Sequence, residues 1–265
     1  MSLFHIIALA IVQGLTEFLP VSSSGHLILF SNLAKLQDQG VGLDVALHIG
    51  SLLAVLIYFR KEFATMIKEV FGAGLKPDFS KPYNKLAWLL FVASIPALIV
   101  GFYLRNYGMD FLRNPKIIGW TILIYGLILY FSDRFFASRF ELKDIKLKDA
   151  LLIGLAQCLA LVPGTSRSGI TITMARFLKI SRIDAAKFSM MLSVPVIAAA
   201  GSLEGYRMFM AGNVDEILHA LDAVLYSFIA SYIVIYFMMK WLQKWTYLPF
   251  VIYRVVIGIL ILSLA

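Results

Sequence analysis

Two apolar stretches of this chain are each broken by proline and a run of hydroxyl side chains, and these breaks constrain the fold more than any other feature. The first, Gln13 to His26, reads QGLTEFLPVSSSGH. It opens as an apolar helix, carries one carboxylate at Glu17 and stops at Pro20. Ser22, Ser23, Ser24 and Gly25 follow, then His26, and the chain turns apolar again. Neither apolar half spans a bilayer alone, which takes ~20 apolar residues. Backbone broken at membrane depth is tolerated only where protein or water covers it. The pattern therefore predicts helix, turn, helix, entering the membrane and returning to the same side. The freed N–H groups of the turn and of the second half-helix make an anion site.

A second stretch has the same form. Residues 156–172 read AQCLALVPGTSRSGITI, with a break at Pro163–Gly164 and a polar turn from Thr165 to Gly169. A shift of 144 positions brings Gln13 onto Gln157, Leu15 onto Leu159, Ser22 onto Ser166, Ser24 onto Ser168 and Gly25 onto Gly169. The charges differ: Glu17 and His26 in the first turn, Arg167 in the second. Paired broken segments in two halves of a membrane protein point to a binding site at the repeat interface. Charged side chains in apolar surroundings are costly, which favours a functional role over a simple Gly/Ser kink.

Of the 265 residues, 60% are hydrophobic, and the apolar runs are continuous rather than alternating, which excludes a β-barrel. The expected class is an all-α polytopic membrane protein. A single cysteine, Cys158, excludes an internal disulfide and a cysteine-based metal site and reads as a packing residue. The first residues lack the basic start and small-residue cleavage site of a signal peptide. The net charge of +8 fits loops facing anionic lipid and not a nucleic-acid partner.

In order, the chain reads as a hairpin over about 3–35, then spans at 44–59, 86–104 and 117–131, with 61–85 as a polar connection and 133–149 as a charged loop. A second hairpin covers about 150–178, and spans follow at 183–201, 217–239 and 249–264. This gives six transmembrane helices plus two re-entrant helical hairpins. Three spans per half is odd, so the second half enters from the opposite face. The result is one membrane domain, 1–265, whose inverted-repeat halves are about 1–132 and 149–265. On one side lie fifteen Lys and Arg: six within 60–85, five within 134–148, and Lys179, Arg182, Lys240 and Lys244. The other side carries five: Lys35, Arg105, Arg113, Lys116 and Arg207. The fifteen-residue side is expected to be cytoplasmic. The first hairpin then faces outward, and the two turns can meet at the midplane.

Glu17 lies one helical turn after Gln13, a pair that can present oxygens to a hard divalent cation. Arg167 offers a planar fork for phosphate oxygens. Thr165, Ser166, Ser168 and the turn amides add donors. Ser22, Ser23 and Ser24 are hydroxyl nucleophiles, with His26 near enough to serve as base. These are the parts of phosphoryl transfer. No Walker loop, CxxC or HExxH motif is present. A transporter or lipid flippase is the rival reading, since it shares the broken-helix repeat but needs no nucleophile; a structural membrane subunit is the third.

GLTEFLPVSSSGHL and PGTSRSGIT together resemble the two signature motifs of the undecaprenyl-diphosphate phosphatase family, the integral-membrane type linked to bacitracin resistance. Both motifs, their order and their separation match, so the resemblance covers nearly the whole chain. It implies removal of the terminal phosphate of undecaprenyl diphosphate at the outer face of the bacterial inner membrane, recycling the lipid carrier of cell-wall synthesis. It also implies Mg²⁺ or Ca²⁺ dependence and a homodimer. By motif, Glu17 falls on the essential glutamate, Ser23 on the proposed nucleophile with Ser22 beside it, His26 on the essential histidine and Arg167 on the phosphate-binding arginine. Ser24, Gly25, Gly164, Thr165, Ser166, Ser168, Gly169 and Thr171 line the two motifs as substrate-binding positions. Glu17 and Gln13 are the metal positions; Gln13 stands where the family often has Glu, which leaves the cation more dependent on Glu17, water and phosphate.

Other charged positions are read more plainly. Asp44 and His48 form a structural pair at i, i+4, and Asp184 pairs with Lys187 across one turn. Arg254 and Asp222 are snorkelling or paired. Arg176 faces lipid phosphate, His5 and His219 are exposed near helix ends, and the Met190–Met191 stretch is ordinary span packing.

Overall fold

The computed structural model describes residues 3–33, 40–104, 112, 114–211 and 214–264, and all the regular structure among them is helical. The helices are α1 (Leu3–Thr16), α2 (Ser23–Leu33), α3 (Gly40–Tyr58), α4 (Arg60–Gly72), α5 (Pro82–Leu104), α6 (Pro115–Phe135), α7 (Leu147–Gln157), α8 (Arg167–Phe177), α9 (Arg182–Ala211), α10 (Val214–Trp241) and α11 (Leu248–Leu264). Lys35, Arg105 and Arg113 lie outside the described residues, as does the side chain of Arg207.

Both breaks fall where the polar runs place them. α1 ends as Pro20 removes a backbone donor, and α2 starts at Ser23; α7 runs on through a 3-10 turn, Cys158–Leu161, and α8 starts at Arg167. Pro96 and Pro195 lie inside α5 and α9 without ending them.

α5, α6, α9 and α10 each contain a segment long and apolar enough to cross a membrane. α3 joins them if it is counted with α4, from which it is bent by 79°. α1 and α11 are shorter apolar helices. Exposed Phe, Leu, Ile and Trp side chains cover much of the outer surface, as expected of a surface turned to lipid rather than water.

The helix α4 replaces the first part of the polar connection expected over 61–85. Phe63, Met66 and Val70 recur at helical spacing among Arg60, Glu62, Lys68 and Glu69, so a narrow apolar stripe lies opposite a charged face, while Ile67 stays exposed. Met66 is buried, and Glu69 accepts from the backbone N–H groups of Tyr83 and Asn84 at the start of α5, at 3.0 and 2.8 Å. Lys187 pairs with Glu62 at 2.8 Å rather than with Asp184. Asp184 instead accepts from the Ser181 hydroxyl at 2.7 Å, as part of the α9 N-terminal cap.

The two halves pack by exchange. α1 lies on α10, and α7 lies on α5; α3 packs on α10 and on α9, α9 on α5, and α6 on α11. A Cβ at Gly154 would collide with the backbone of Ala93, so α7 sits on α5 at a distance only glycine allows. The largest apolar core joins Phe18, Leu129, Ile172, Phe188, Met190 and Tyr247 from both halves. His5 is buried, not exposed: it lies on the face of α1 that packs inward.

The basic connections gather at one end. Lys85 Nζ donates to the Lys143 carbonyl at 2.7 Å, and Arg139 N to the Lys179 carbonyl at 2.8 Å. Asp133, expected at the start of a loop, is instead buried in the last turns of α6. It accepts from Arg176 Nε at 3.0 Å, Arg182 Nε at 2.7 Å and Tyr247 N at 3.3 Å. Arg176 is thus held in protein, bonded also to the Ile180 and Phe136 carbonyls, and does not face lipid.

Candidate active site

The two broken segments meet. Ser168 Oγ, in the first turn of α8, donates to the Leu19 carbonyl of the first break at 3.0 Å. Each turn is closed in the same way. Ser22 has φ of 79° and Ser166 φ of 71°, a left-handed backbone that serine rarely adopts. The Ser22 hydroxyl accepts from Gly25 N at 3.4 Å, and the Ser166 hydroxyl from Gly169 N at 3.1 Å. Both serines therefore cap the helix that follows, and they are the positions the 144-residue shift superimposes. Gly164, with φ of 89°, has no room for a Cβ against Thr121 and Ile118, so the second turn can lie on α6.

Glu17 is the centre of the cluster. It is buried, and Arg167 Nη2 donates to its Oε1 at 2.8 Å. Ser23 Oγ donates to Oε2 at 2.7 Å, and Gln13 Nε2 to the same oxygen at 3.0 Å. His48 Nε2 lies 3.4 Å from Oε2, while its Nδ1 meets the Asp44 carbonyl at 2.7 Å. His48 thus turns to Glu17 and uses the backbone, not the carboxylate, of Asp44 for that bond. Arg167 Nη1 is fixed by the Ser189 carbonyl at 3.1 Å, and Ser189 Oγ meets Thr171 Oγ1 at 2.7 Å.

The sequence-derived set is thereby brought together at Gln13, Glu17, Ser23 and Arg167, with Ser166, Ser168, Gly169 and Thr171 around it. Ser24 is exposed. His26 does not bond to Ser23. Its Nδ1 meets the Ser22 carbonyl at 2.6 Å and its Nε2 the Tyr253 hydroxyl at 2.6 Å, with the two rings stacked. An Nδ1–H donating to Ser22 leaves Nε2 to accept from Tyr253. The hydrogen-bonded base beside Ser23 is Glu17.

Arg254 is neither snorkelling nor paired with an acid. It is fully buried, and its guanidinium donates to the carbonyls of Pro20 (3.1 Å), Gly164 (3.1 Å) and Thr165 (3.1 Å), tying one turn to the other. It donates as well to Ile122 and Thr121 on α6, at 2.9 and 3.3 Å. Backbone carbonyls that no helix ladder can satisfy are thus met by one planar fork. A charge inside an apolar span was the available signal for Arg254. His48 was singled out only as a partner of Asp44, and Ser189 and Tyr253 had no signal, because only the tertiary packing brings them to the motifs.

Among the described residues no group of three or more His, Cys, Asp or Glu could hold a metal ion. The fit to a divalent cation rests on Glu17 and on Gln13, whose Oε1 is buried without a partner. One carboxylate and one amide oxygen suit an ion that completes its shell with water and phosphate.

The family model described as Bacitracin resistance protein BacA matches residues 6–260. A protein of Jannaschia sp. is 43% identical over 100% of this chain and 99% of its own. One of Dinoroseobacter shibae is also 43% identical, over 100% and 99%, and one of Chromohalobacter salexigens 44%, over 99% and 98%. All three bear the name undecaprenyl-diphosphatase. With both turn motifs at one buried carboxylate and a match over nearly its whole length, the chain belongs to the bacitracin resistance protein BacA family, a family of integral membrane proteins.

Proposed function

We propose that this chain is an undecaprenyl-diphosphatase, a hydrolase that releases the terminal phosphate of undecaprenyl diphosphate. The observation that carries the reading is the Glu17 carboxylate, held at once by the Ser23 hydroxyl of one broken segment and the Arg167 guanidinium of the other. Binding an anion for transport needs Arg167 and the turn amides; it does not need a hydroxyl hydrogen-bonded to a carboxylate. Purified protein in detergent should release phosphate from a prenyl diphosphate. Binding without release would favour the flippase.

Ser23 Oγ attacks the terminal phosphorus as Glu17 Oε2 takes its proton. The P–O bond to undecaprenyl phosphate breaks, and that product leaves. Protonation removes the negative charge that holds Arg167, so its fork turns to the phosphoryl oxygens as charge builds on them. The second turn, with Thr165, Ser166, Ser168 and Gly169, and the first turn of α8 lie beside it. Glu17 passes the Ser23 proton to the departing undecaprenyl phosphate; water then attacks the phosphoserine with Glu17 again as base, and Glu17 returns the water's proton to the leaving Ser23 oxygen. His26, bonded to Ser22 and Tyr253, holds the first turn and accepts a hydrogen bond near the leaving oxygen.

Glu17 and Gln13 would hold Mg²⁺ or Ca²⁺, which would neutralise charge on the diphosphate. Gln13→Glu should keep activity and lower the Mg²⁺ concentration for half-maximal rate, by adding a charged oxygen. A higher requirement would mean that the pair does not hold the ion.

The reading extends to one domain of six spans and two re-entrant hairpins in an inverted repeat. The reciprocal packing of α1 on α10 and of α7 on α5 supports it, as do the matching left-handed serines. It places the protein in the bacterial inner membrane as a homodimer, with the site reached from outside. A cysteine at Arg207 should react with an impermeant reagent added outside, and one at Lys143 should not. Reversed labelling would invert the orientation.

A further inference from the structure

At the other end of α6, about 18 Å along the helix from Thr121 at 1.5 Å per residue, lies a cavity of about 240 Å³. It is framed by the last turns of α6, the start of α9 and the start of α11. Tyr130, Leu248 and Val251 form its apolar wall, and Asp133, Arg134 and Arg182 its charged one. Two guanidiniums, Arg176 and Arg182, bond to the Asp133 carboxylate, and a third, Arg134, lines the cavity without bonding to it. Both Asp133 oxygens are taken, Oδ1 by Arg176 and Arg182 and Oδ2 by Tyr247 N. Arg182 spends its Nε on Asp133, its Nη2 reaches only the Asp133 carbonyl at 3.5 Å, and its side chain is 32% exposed. Arg134 is exposed and has no hydrogen-bond or ion-pair partner among the described residues. The cavity therefore presents cationic donors in excess of the acid available to them.

Its surroundings say what can satisfy them. Trp241 and Trp245 stack at 5.6 Å, and Trp241 Nε1 donates to the carbonyl of Thr246, a residue that lines the cavity. Paired tryptophans at the end of an apolar span mark the headgroup level of a bilayer. Leu248 on the rim and Ile252 one turn further are exposed, leading from the cavity along α11. The volume is below the ~300 Å³ at which sites for drug-sized ligands begin. It takes a headgroup, with the tail left outside along α11.

We propose that this cavity is a binding site for the phosphoryl headgroup of an anionic lipid, separate from the Glu17 cluster. Guanidinium forks match phosphoryl oxygens in geometry and charge, and basic pockets between spans commonly take lipid headgroups. The proposal does not rest on the catalytic reading.

The test is native mass spectrometry of the full chain in detergent, titrated with phosphatidylglycerol, with phosphatidylcholine and with inorganic phosphate. Arg134→Ala removes a cavity charge at an exposed position outside the ion-pair network. Arg139→Ala removes an exposed charge at the same end that does not line the cavity. Phosphatidylglycerol adducts should weaken about fivefold in Arg134→Ala, the effect of one basic residue near a charged headgroup. They should persist in Arg139→Ala and weaken less in Arg134→Lys, which keeps the charge but loses the fork, and phosphate release should be unchanged in all three. Equal loss in Arg134→Ala and Arg139→Ala would reduce the effect to general surface charge and overturn the site. Equal binding of phosphatidylcholine would overturn its selectivity for an anionic headgroup. Binding of inorganic phosphate without phosphatidylglycerol would make it a free-anion site and overturn the lipid assignment.

Discussion

Ser23→Ala is expected to lower phosphate release to the uncatalysed background, while Ser22→Ala and Ser24→Ala keep measurable turnover. The three hydroxyls are adjacent in sequence and separate in chemistry. Ser23 alone donates to the Glu17 carboxylate, at 2.7 Å. Ser22 closes the turn through Gly25 N, and Ser24 is exposed. Loss of a positioning donor costs ~10²–10³ in rate. Loss of the attacking oxygen removes the covalent path itself, so Ser23→Ala should fall below that range. Glu17→Gln should fall with it, because an amide can neither take the proton nor hold Arg167. Rapid quench with labelled substrate should trap phosphate as an acid-stable ester on Ser23. An acid-labile, base-stable phosphoenzyme would move the nucleophile to His26 and overturn the assignment.

Arg254→Met is expected to be the most damaging change outside the Glu17 cluster. Methionine fills similar volume in an apolar span, so packing is largely kept. What is lost is every donor to the carbonyls of Pro20, Gly164 and Thr165. These lie in the two breaks, where no helix ladder can satisfy them, and the α6 carbonyls that also bond to Arg254 keep their helical partners. An unsatisfied buried acceptor costs ~1–3 kcal/mol, and relief from burying an uncompensated charge offsets part of the total. A net loss of about 3 kcal/mol should appear as a lower thermal midpoint in detergent. Turnover should fall more than substrate affinity, because the tie sets Ser23 against Arg167. Arg254→Lys should rescue little, since an ammonium cannot reach both turns. An unchanged midpoint in Arg254→Met would mean that the turns hold each other without it.

The parts of the site legible in the sequence are those set by local chemistry. Pro20, Pro163 and the serine runs had to break their helices. The 144-residue shift gave the correspondence of Ser22 with Ser166, and the structure gives both the same left-handed backbone and the same cap. Glu17 and Arg167 stood out as charges in apolar surroundings. What could not be read depends on partners far along the chain. Tyr253 bonds to His26 across 227 positions, and Lys187 finds Glu62 across 125. Spacing within one helix carries no trace of either. α4 was missed for a different reason: its charges outnumber its apolar stripe, so composition masked the period. His48 was read with Asp44 because both lie on one helical turn, whereas the nearby charge that matters is Glu17, in the turn that follows α1.

The bond from Arg254 to the Pro20 carbonyl joins residues 234 positions apart. A ribosome adding ~5–20 residues per second needs roughly 10–50 s to cover that distance. For most of that interval the first break is already made, while α10, which covers α1, and α11, which supplies the guanidinium, do not yet exist. Until α11 is made, Pro20's carbonyl must be met by water, by lipid headgroups or by the insertion machinery, as must the Glu17 carboxylate until Arg167 is made. Seating of the first break is therefore completed only once α11 has been made. A chain cut short before α11 leaves the two breaks without the guanidinium that ties Pro20 to Gly164 and Thr165.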